Sequence, residues 1–311
     1  MSVRVVPFDA VPGSVAGSRV VRPVWALATV EARAYLRSIP LWLGFALAGA
    51  QWLFTDLAQE RWVGSQYTDV VGMAPATAYV GVFVAATLIG LRDRMGQATP
   101  LSSVGPVDPG TVASARLLGG LVPVALIVVM LSAGVVWLDQ RGGIVVGGVH
   151  VLPQPADLVL IPVLVGLAVA TGIAAAQLVR SRAVVVGVGS LVILLTTVTS
   201  WMFGAADAFL PAPYAPRTVD LGAGFDTRSA PAGWRLVAPD SVGEHWRRSS
   251  FEQAAVGWHI VYVVGLLALL VAVVQRVHGR RAQAAALAAG GLVACVIGGV
   301  LQVVTRTGPW V

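Results

Sequence analysis

Seven long apolar stretches constrain the fold of this chain more than any other feature of its sequence, and none contains Asp, Glu, Lys or Arg. A helix rises about 1.5 Å per residue, so roughly 20 apolar residues cross the hydrocarbon core of a bilayer. A soluble domain would instead show helices with one polar face. The sequence therefore predicts an all-α integral membrane protein with about seven transmembrane helices. The predicted spans are Ile39–Thr55, Val70–Leu91, Leu117–Leu138, Leu158–Val179, Ala183–Ala206, Gln253–Gln275 and Ala282–Val304.

Composition excludes several classes of function. The formal charge of +6 comes entirely from arginine, because the chain contains no lysine. A phosphate-binding loop of the GxxxxGK[ST] type requires that lysine, so we expect this chain to bind no ATP by that route. There is no HExxH motif and no Cys/His cluster, which predicts no metal site and no bound cofactor. The arginines are spread along helix ends rather than clustered, which argues against nucleic acid as a partner.

The arginines also predict an orientation. They are frequent before the first span and in every second connection after it, whereas the short connections on the other side carry only Arg61 and Arg141. By the positive-inside rule the arginine-rich side is cytoplasmic, which places the N-terminus inside a multi-pass protein of the plasma membrane. The arginines on that side are Arg4, Arg19, Arg22, Arg33, Arg37, Arg92, Arg94, Arg116, Arg180, Arg182, Arg276, Arg280 and Arg281.

Four regions follow along the chain. Residues 1–38 form a cytoplasmic tail and a membrane-surface helix, 39–206 spans one to five, 207–252 an extracytoplasmic cap, and 253–311 spans six and seven. Apolar residues at spacing three predict the surface helix over Arg22–Ser38, and Ser38-Ile39-Pro40 is expected to break it from the first span. The alternative is a continuous extension of that span. Polar and interfacial residues of this helix are Trp25, Glu31, Arg33 and Arg37.

Two connections stand out. Between the second and third spans, a charged cluster is followed by a turn, a short uncharged piece and a second turn at Asp108-Pro109-Gly110. This pattern predicts a short helix at the membrane base, with a solvated linker as the alternative. The cap is rich in aromatics, and Asp240 or Ser241 is expected to begin a short helix through Glu244 and Trp246.

Polar residues inside the spans are neutral, apart from His259 near an outer span end, where we expect an interfacial hydrogen-bonding role. Ion-driven carriers usually place ionisable side chains in the membrane interior. If this protein moves a substrate uphill, its energy is therefore expected from another subunit.

The order of elements resembles the permease subunits of type-two ABC exporters. A surface helix, a span, an outer loop and a second span lead to the cytoplasmic cluster, and the sixth span begins Gly257-Trp258-His259-Ile260-Val261-Tyr262. The resemblance covers about residues 22–281. The seventh span departs from the usual six, and Asp93 stands where many members have glutamate. The cluster and its turns comprise Arg92, Asp93, Arg94, Met95, Gly96, Pro100 and Pro106.

The resemblance implies two facing permeases, either two copies or a paralogue pair, in the lipid bilayer. ATP-binding cassette subunits, which hold ATP and Mg, would dock on the surface helix and the Arg92–Pro106 element. An amphipathic or lipid-like substrate would pass between the second and fifth spans, and the alternative role of the polar residues there is helix packing. The implied path residues are Tyr79, Phe83, Thr87, Thr196, Thr199 and Ser200.

Two rival functions remain open from the residues. One is a membrane enzyme acting on a lipid-linked substrate, with Asp56, Glu60 or Asp69 as an acid at the outer face. The other is an assembly subunit that transports nothing.

Overall fold

The computed structural model describes residues 16–57, 74–92, 108–140, 144–146, 149–151, 155–179, 181–202, 210–211, 217–220, 226, 228, 235–237, 247–250 and 253–305. In these ranges the chain forms helices, and two of the connections between them contain strands. The helices are α1 (Ala16–Leu36), α2 (Ile39–Leu57), α3 (Ala74–Leu91), α4 (Pro109–Gly119), α5 (Leu121–Gln140), α6 (Pro155–Leu178), α7 (Arg182–Met202), α8 (Gln253–Val277) and α9 (Arg281–Val304).

All seven apolar stretches contain a helix. Within the described part of the chain, four helical segments are long and apolar enough to cross a membrane, and two further apolar helices are shorter, Pro75–Leu91 and Arg182–Thr196. The chain is therefore a helical, membrane-embedded protein. The four long segments are Pro109–Trp137, Leu158–Leu178, Ala254–Val277 and Arg281–Val304.

The predicted break before the first span is confirmed. α1 ends at Leu36 and α2 begins at Ile39, so the two are separate helices rather than one extension. The Ser38 amide donates to the Tyr35 carbonyl at 2.9 Å, which closes the last turn of α1. Pro40 then lies in the first turn of α2, where a missing N–H leaves no helical hydrogen bond unmade.

The turn predicted at Asp108-Pro109-Gly110 is wrong, because these residues begin a helix. The Asp108 carboxylate accepts a hydrogen bond from the Thr111 amide at 3.1 Å and caps α4, and Pro109 occupies its first turn. The residue at the junction of α4 and α5, Gly120, keeps a right-handed helical conformation. The third apolar helix therefore starts at Pro109 rather than at Leu117, and Arg116 lies within it.

α3 and α6 lie at the centre of the helical packing. α3 contacts α2, α6 and α7, while α6 also contacts α5 and α8. α3 and α6 approach closely at Gly172, where a Cβ would lie 2.8 Å from the Phe83 carbonyl oxygen. α8 and α9 form a hairpin with the most extensive contact of any helix pair.

Several helix ends meet at one end of this bundle. Gly90, at the end of α3, packs against Ala176 at the end of α6, and α7 starts soon afterwards at Arg182. Gly119 of α4 packs against Glu31 of α1, and the turn between α8 and α9 meets the start of α4. We call this the arginine-rich end, because it holds Arg33, Arg92, Arg116, Arg182, Arg276 and Arg281.

Short strands occupy two connections, which the sequence did not predict. β1 (Ile144–Val146) pairs with β2 (Val149–Val151), and β3 (Arg217–Asp220), β4 (Arg235–Val237) and β5 (Arg247–Ser250) form an antiparallel sheet of order β3-β5-β4. This sheet lies within the region predicted as a cap. The helix predicted through Glu244 and Trp246 lies outside the described residues.

Candidate functional site

A buried ion-pair cluster joins three helices at the arginine-rich end. Glu31 of α1 lies between Arg92, which follows α3, and Arg116 of α4. Its two carboxylate oxygens lie 3.7 Å from the Arg92 Nη1 and 3.6 Å from the Arg116 Nε. The Glu31 side chain is 6% exposed and that of Arg116 is 4% exposed, whereas Arg92 reaches the surface. Charges buried this deeply remain ionised only when they are paired.

Tyr35 lies one turn after Glu31 on the same buried face of α1 and is fully buried. Burial, with the nearby Glu31 carboxylate, raises the pKa of the Tyr35 phenol, so this side chain stays neutral. Gly119 brings α4 close to this face, because a Cβ there would lie 2.8 Å from the Glu31 Cβ. Ion pairing and close packing together fix α1 against α4.

A second polar cluster ties the start of α4 to the turn between α8 and α9. Arg280 donates to the Asp108 carboxylate at 2.6 Å and to the Thr111 hydroxyl at 3.0 Å. Gln275 donates to the Ser114 hydroxyl at 3.2 Å. The guanidinium lies directly over Gly110, where a Cβ would overlap it.

The backbone of the turn between α8 and α9 directs the Arg280 side chain toward Asp108. Gly279 has φ of +80°, a left-handed conformation that glycine adopts at little cost. The Gly279 amide donates to the Arg276 carbonyl and the Arg280 amide to the Gln275 carbonyl, which is the Schellman ending of a helix. The hairpin that carries the seventh apolar stretch is therefore tethered to the start of α4.

We expect the Asp108–Arg280 pair to make stability depend on pH in the acidic range. The hydrogen bond from Arg280 lowers the pKa of the Asp108 carboxyl below its usual value of 3.8. A carboxyl with a lowered folded-state pKa stabilises the fold above its unfolded-state pKa, and that contribution is lost as the pH falls through the folded-state pKa. Because the Asp108 side chain is 54% exposed, the contribution should stay below about 1 kcal/mol.

Thermal unfolding of the wild type and Asp108→Asn in detergent, at neutral and at acidic pH, measures this contribution. The variant should be slightly less stable at neutral pH and equal to the wild type in acid. High salt should also shrink the difference, because the pair is solvent-accessible. A difference of equal size at both pH values would contradict the ionic assignment.

Only part of the Arg92–Pro106 element, where the resemblance implies docking of the ATP-binding subunit, lies within the described residues. Arg92 belongs to the buried cluster, and Glu31 of the surface helix is its partner. Trp25, Arg33 and Arg37 lie on the exposed side of α1. The remaining predicted coupling residues, Asp93, Arg94, Met95, Gly96, Pro100 and Pro106, lie outside the described residues. The described ends of that segment, Arg92 and Asp108, each carry an ion pair to another helix.

The residues implied to line a path divide between two environments. Phe83 is 1% exposed and packs on Gly189 of α7, and Thr87 is fully buried. Tyr79 is half-buried and borders a small recess that Pro75, Ile161, Leu164 and Pro211 also line. α3 and α7 do contact each other. In a single copy, the Phe83–Thr87 part of α3 is thus covered by neighbouring helices.

The hydroxyl residues of α7 that were implied to line the path lie in a different environment. Thr196 donates to the Val192 carbonyl of its own helix at 2.7 Å, which satisfies the hydroxyl without a partner helix. Thr199 is half-buried, and the surroundings of the Ser200 side chain lie outside the description. Among the outer-face acids, Asp56 lies in the last turn of α2, and Glu60 and Asp69 lie outside the described residues.

His259 forms a hydrogen bond, as expected, and is fully buried between α8 and α9. Its position at the membrane interface stays a prediction. Its Nδ1 lies 2.9 Å from the Gln302 Oε1, and Gln302 is also fully buried. Because the amide oxygen accepts, this imidazole nitrogen donates. A hydrogen bond between transmembrane helices fixes their register, and typically contributes about 0.6–2 kcal/mol.

Sequence reasoning missed the roles of Asp108, Arg116, Gln275 and Arg280. One signal was present, since Asp followed by Pro is a common start of a helix. That signal would have placed Arg116 inside a helix and made a buried partner necessary. No local pattern indicated that Arg280 would reach Asp108, because the two residues are far apart along the chain.

No group of three or more His, Cys, Asp or Glu side chains that could hold a metal lies together within the described ranges. The two clusters at the arginine-rich end join several helices through charged side chains, but neither places a nucleophile beside a base. Comparisons with protein-family models, with curated proteins and with solved structures each gave no match.

Proposed function

We propose that this chain is the transmembrane permease subunit of an ATP-driven exporter of the type-two ABC class. Separate ATP-binding cassette subunits would hydrolyse ATP with Mg, and two permeases, identical or paralogous, would move an amphipathic or lipid-like substrate. One observation carries the proposal: the segment 93–107, where the resemblance places the docking of the ATP-binding subunit, begins and ends at residues that other helices hold. Arg92 is paired with Glu31, and Asp108 with Arg280.

These pairings suit a coupling role. Glu31 links α1 to the end of α3 and to α4, while Arg280 links the start of α4 to the α8–α9 hairpin. A displacement of segment 93–107 would therefore move several helices at once and not only the segment itself. Rigid-body motion of packed helices is a common form of such transitions.

The proposed orientation has seven spans, a cytoplasmic N-terminus and a location in the plasma membrane. The contacts that gather the helix ends support it, since they bring arginines at or beside the ends of several helices to one end of the bundle. An excess of arginine marks the cytoplasmic side of short connections. The substrate would pass near Tyr79, Phe83, Thr87, Thr196, Thr199 and Ser200, once the helices that cover Phe83 and Thr87 have moved.

A charge reversal in the docking segment tests the proposal. We expect Asp93→Arg to insert normally but to weaken binding of the ATP-binding subunit, because an interfacial charge left without its partner costs about 2–5 kcal/mol. The measurement is co-purification with a phosphate-loop ATPase partner, sought first in the reading frames beside this one, together with ATP turnover of the complex. Asp226→Arg, in the predicted outer region, is the matched control.

Absence of any ATPase partner for the wild-type chain would overturn the exporter assignment and leave the assembly or enzyme alternatives. Unchanged co-purification and turnover in Asp93→Arg would overturn only the docking position.

Topology can be tested independently. With Cys295 first replaced by Ala, a cysteine at Ser181 should react with a membrane-impermeant maleimide only after the inner face is opened. Ser181 is exposed and lies at the arginine-rich end, between α6 and α7. A cysteine at Ser229, in the predicted cap, should react in intact cells. The reverse labelling pattern would invert the orientation and remove the docking surface.

A further inference from the structure

α1 has two faces of different chemistry. Ala28, Glu31 and Tyr35 recur at spacing three to four and are buried against the bundle. The opposite face is exposed, and it mixes large apolar and cationic side chains, namely Trp25, Arg33, Leu36 and Arg37. Such a face suits neither plain water nor hydrocarbon, because it holds charge and large apolar area side by side. It suits the headgroup layer of a membrane.

Two tryptophans flank the arginines of this face. Trp25 is 56% exposed two turns before Arg33. Trp42 is 48% exposed, and its indole nitrogen donates to the Leu36 carbonyl at 2.6 Å, which places the ring beside the last turn of α1. Indole rings of this kind prefer the headgroup level of a bilayer.

Arg33 and Arg37 are four residues apart and share one side of the helix. Neither forms a salt bridge with any acid in the described part of the chain. The neighbouring acid, Glu31, points to the opposite face and is already paired with Arg92 and Arg116. The exposed pair therefore has two positive charges and no counter-charge among the described residues.

We propose that this face of α1 binds the phosphate groups of anionic phospholipids. Guanidinium groups bind phosphate through paired, charge-assisted hydrogen bonds. Arg33 and Arg37 would hold the headgroup phosphates, and Trp25, Leu36 and Trp42 would lie among the glycerol and upper acyl carbons. This inference rests on the proposed function only in placing α1 at the cytoplasmic membrane surface, and it does not require an ATPase partner.

The test uses the whole purified chain in a neutral detergent. Native mass spectrometry would follow binding of phosphatidylglycerol, with phosphatidylcholine as the neutral reference. A basic residue near an anionic surface contributes about 1 kcal/mol, which is roughly a five-fold change in affinity. We therefore expect Arg33→Gln/Arg37→Gln to bind phosphatidylglycerol about 30-fold more weakly and phosphatidylcholine unchanged. Arg33→Lys/Arg37→Lys should retain most of the binding, and excess inorganic phosphate should not displace the lipid.

Arg276→Gln/Arg281→Gln is the matched control, because both arginines are exposed at the same end but lie on α8 and α9. It should change phosphatidylglycerol binding far less than the α1 double variant does, because neither arginine belongs to the proposed site. If both double variants lost the same affinity for phosphatidylglycerol, the effect would depend only on overall positive charge. That result would overturn the proposed site on α1. Retained lipid binding with loss of the co-purified ATPase in Arg33→Gln/Arg37→Gln would also overturn it, because the face would then belong to a protein partner. If only the exporter proposal failed, these lipid-binding measurements would still test the site on α1.

Discussion

Replacing Glu31 by Gln should lower the free energy of unfolding by about 3–5 kcal/mol, the usual cost of leaving a buried charge without its partner. Arg116 is 3% exposed, so it cannot turn to water when the carboxylate is lost. Arg92 can, because a quarter of its side chain is accessible. The loss should therefore come mainly from Arg116 and should loosen α1 from α4.

Unfolding of the detergent-purified chain, followed by tryptophan fluorescence, measures this effect. Asp108→Asn is the matched comparison, since it also neutralises an acid paired with arginine but at an exposed position. It should cost less than about 1 kcal/mol. Glu31→Gln combined with Arg116→Met should recover part of the stability, because no buried charge then remains unpaired. Equal effects of Glu31→Gln and Asp108→Asn would show that burial does not govern the cluster.

The second large effect is expected in the α8–α9 hairpin, where Gly298→Ala should destabilise the protein by about 2–3 kcal/mol. A Cβ at this position would lie 2.5 Å from the Tyr262 amide nitrogen and 2.7 Å from the Trp258 carbonyl oxygen. Both are backbone atoms of α8, which cannot rotate aside as a side chain could. The helices must separate, and the nearby bond between His259 and Gln302 should lengthen or break.

Gly290 supplies the control on the same helix. A Cβ at Gly290 meets nothing within 4 Å, so Gly290→Ala adds no clash. It should stabilise the helix by about 0.5–1 kcal/mol, because alanine loses less backbone entropy than glycine. The same unfolding measurement compares the two variants. Similar behaviour of Gly298→Ala and Gly290→Ala would contradict the close packing of α8 on α9.

The helical elements were largely predictable from the sequence, because long runs without charge can form little else in a membrane. The helix boundaries were less so. Asp108-Pro109-Gly110 resembles a turn when it is considered alone, since Asp, Pro and Gly each favour turns. The same Asp and Pro also begin helices, and the continuation through Arg116 into apolar residues decided between the two outcomes.

The candidate site was predictable only in part. Glu31 and Arg92 were singled out separately, one on a surface helix and the other in a charged cluster. Their contact depends on how α1 crosses α3 and α4, which no spacing within the sequence specifies. Phe83 was implied to line a path, yet its surroundings are set by Gly189 of a different helix.

The sequence by itself determined that this chain is helical and that it lies in a membrane. These properties depend on local chemistry, because backbone polar groups in lipid must be satisfied within each helix. Only the tertiary structure decided which charges are buried together, since ion pairs such as Asp108–Arg280 join residues brought close by packing. Packing depends on how the surfaces of two helices fit together, and a single glycine such as Gly298 can decide that fit. The residues of one helix alone do not specify it.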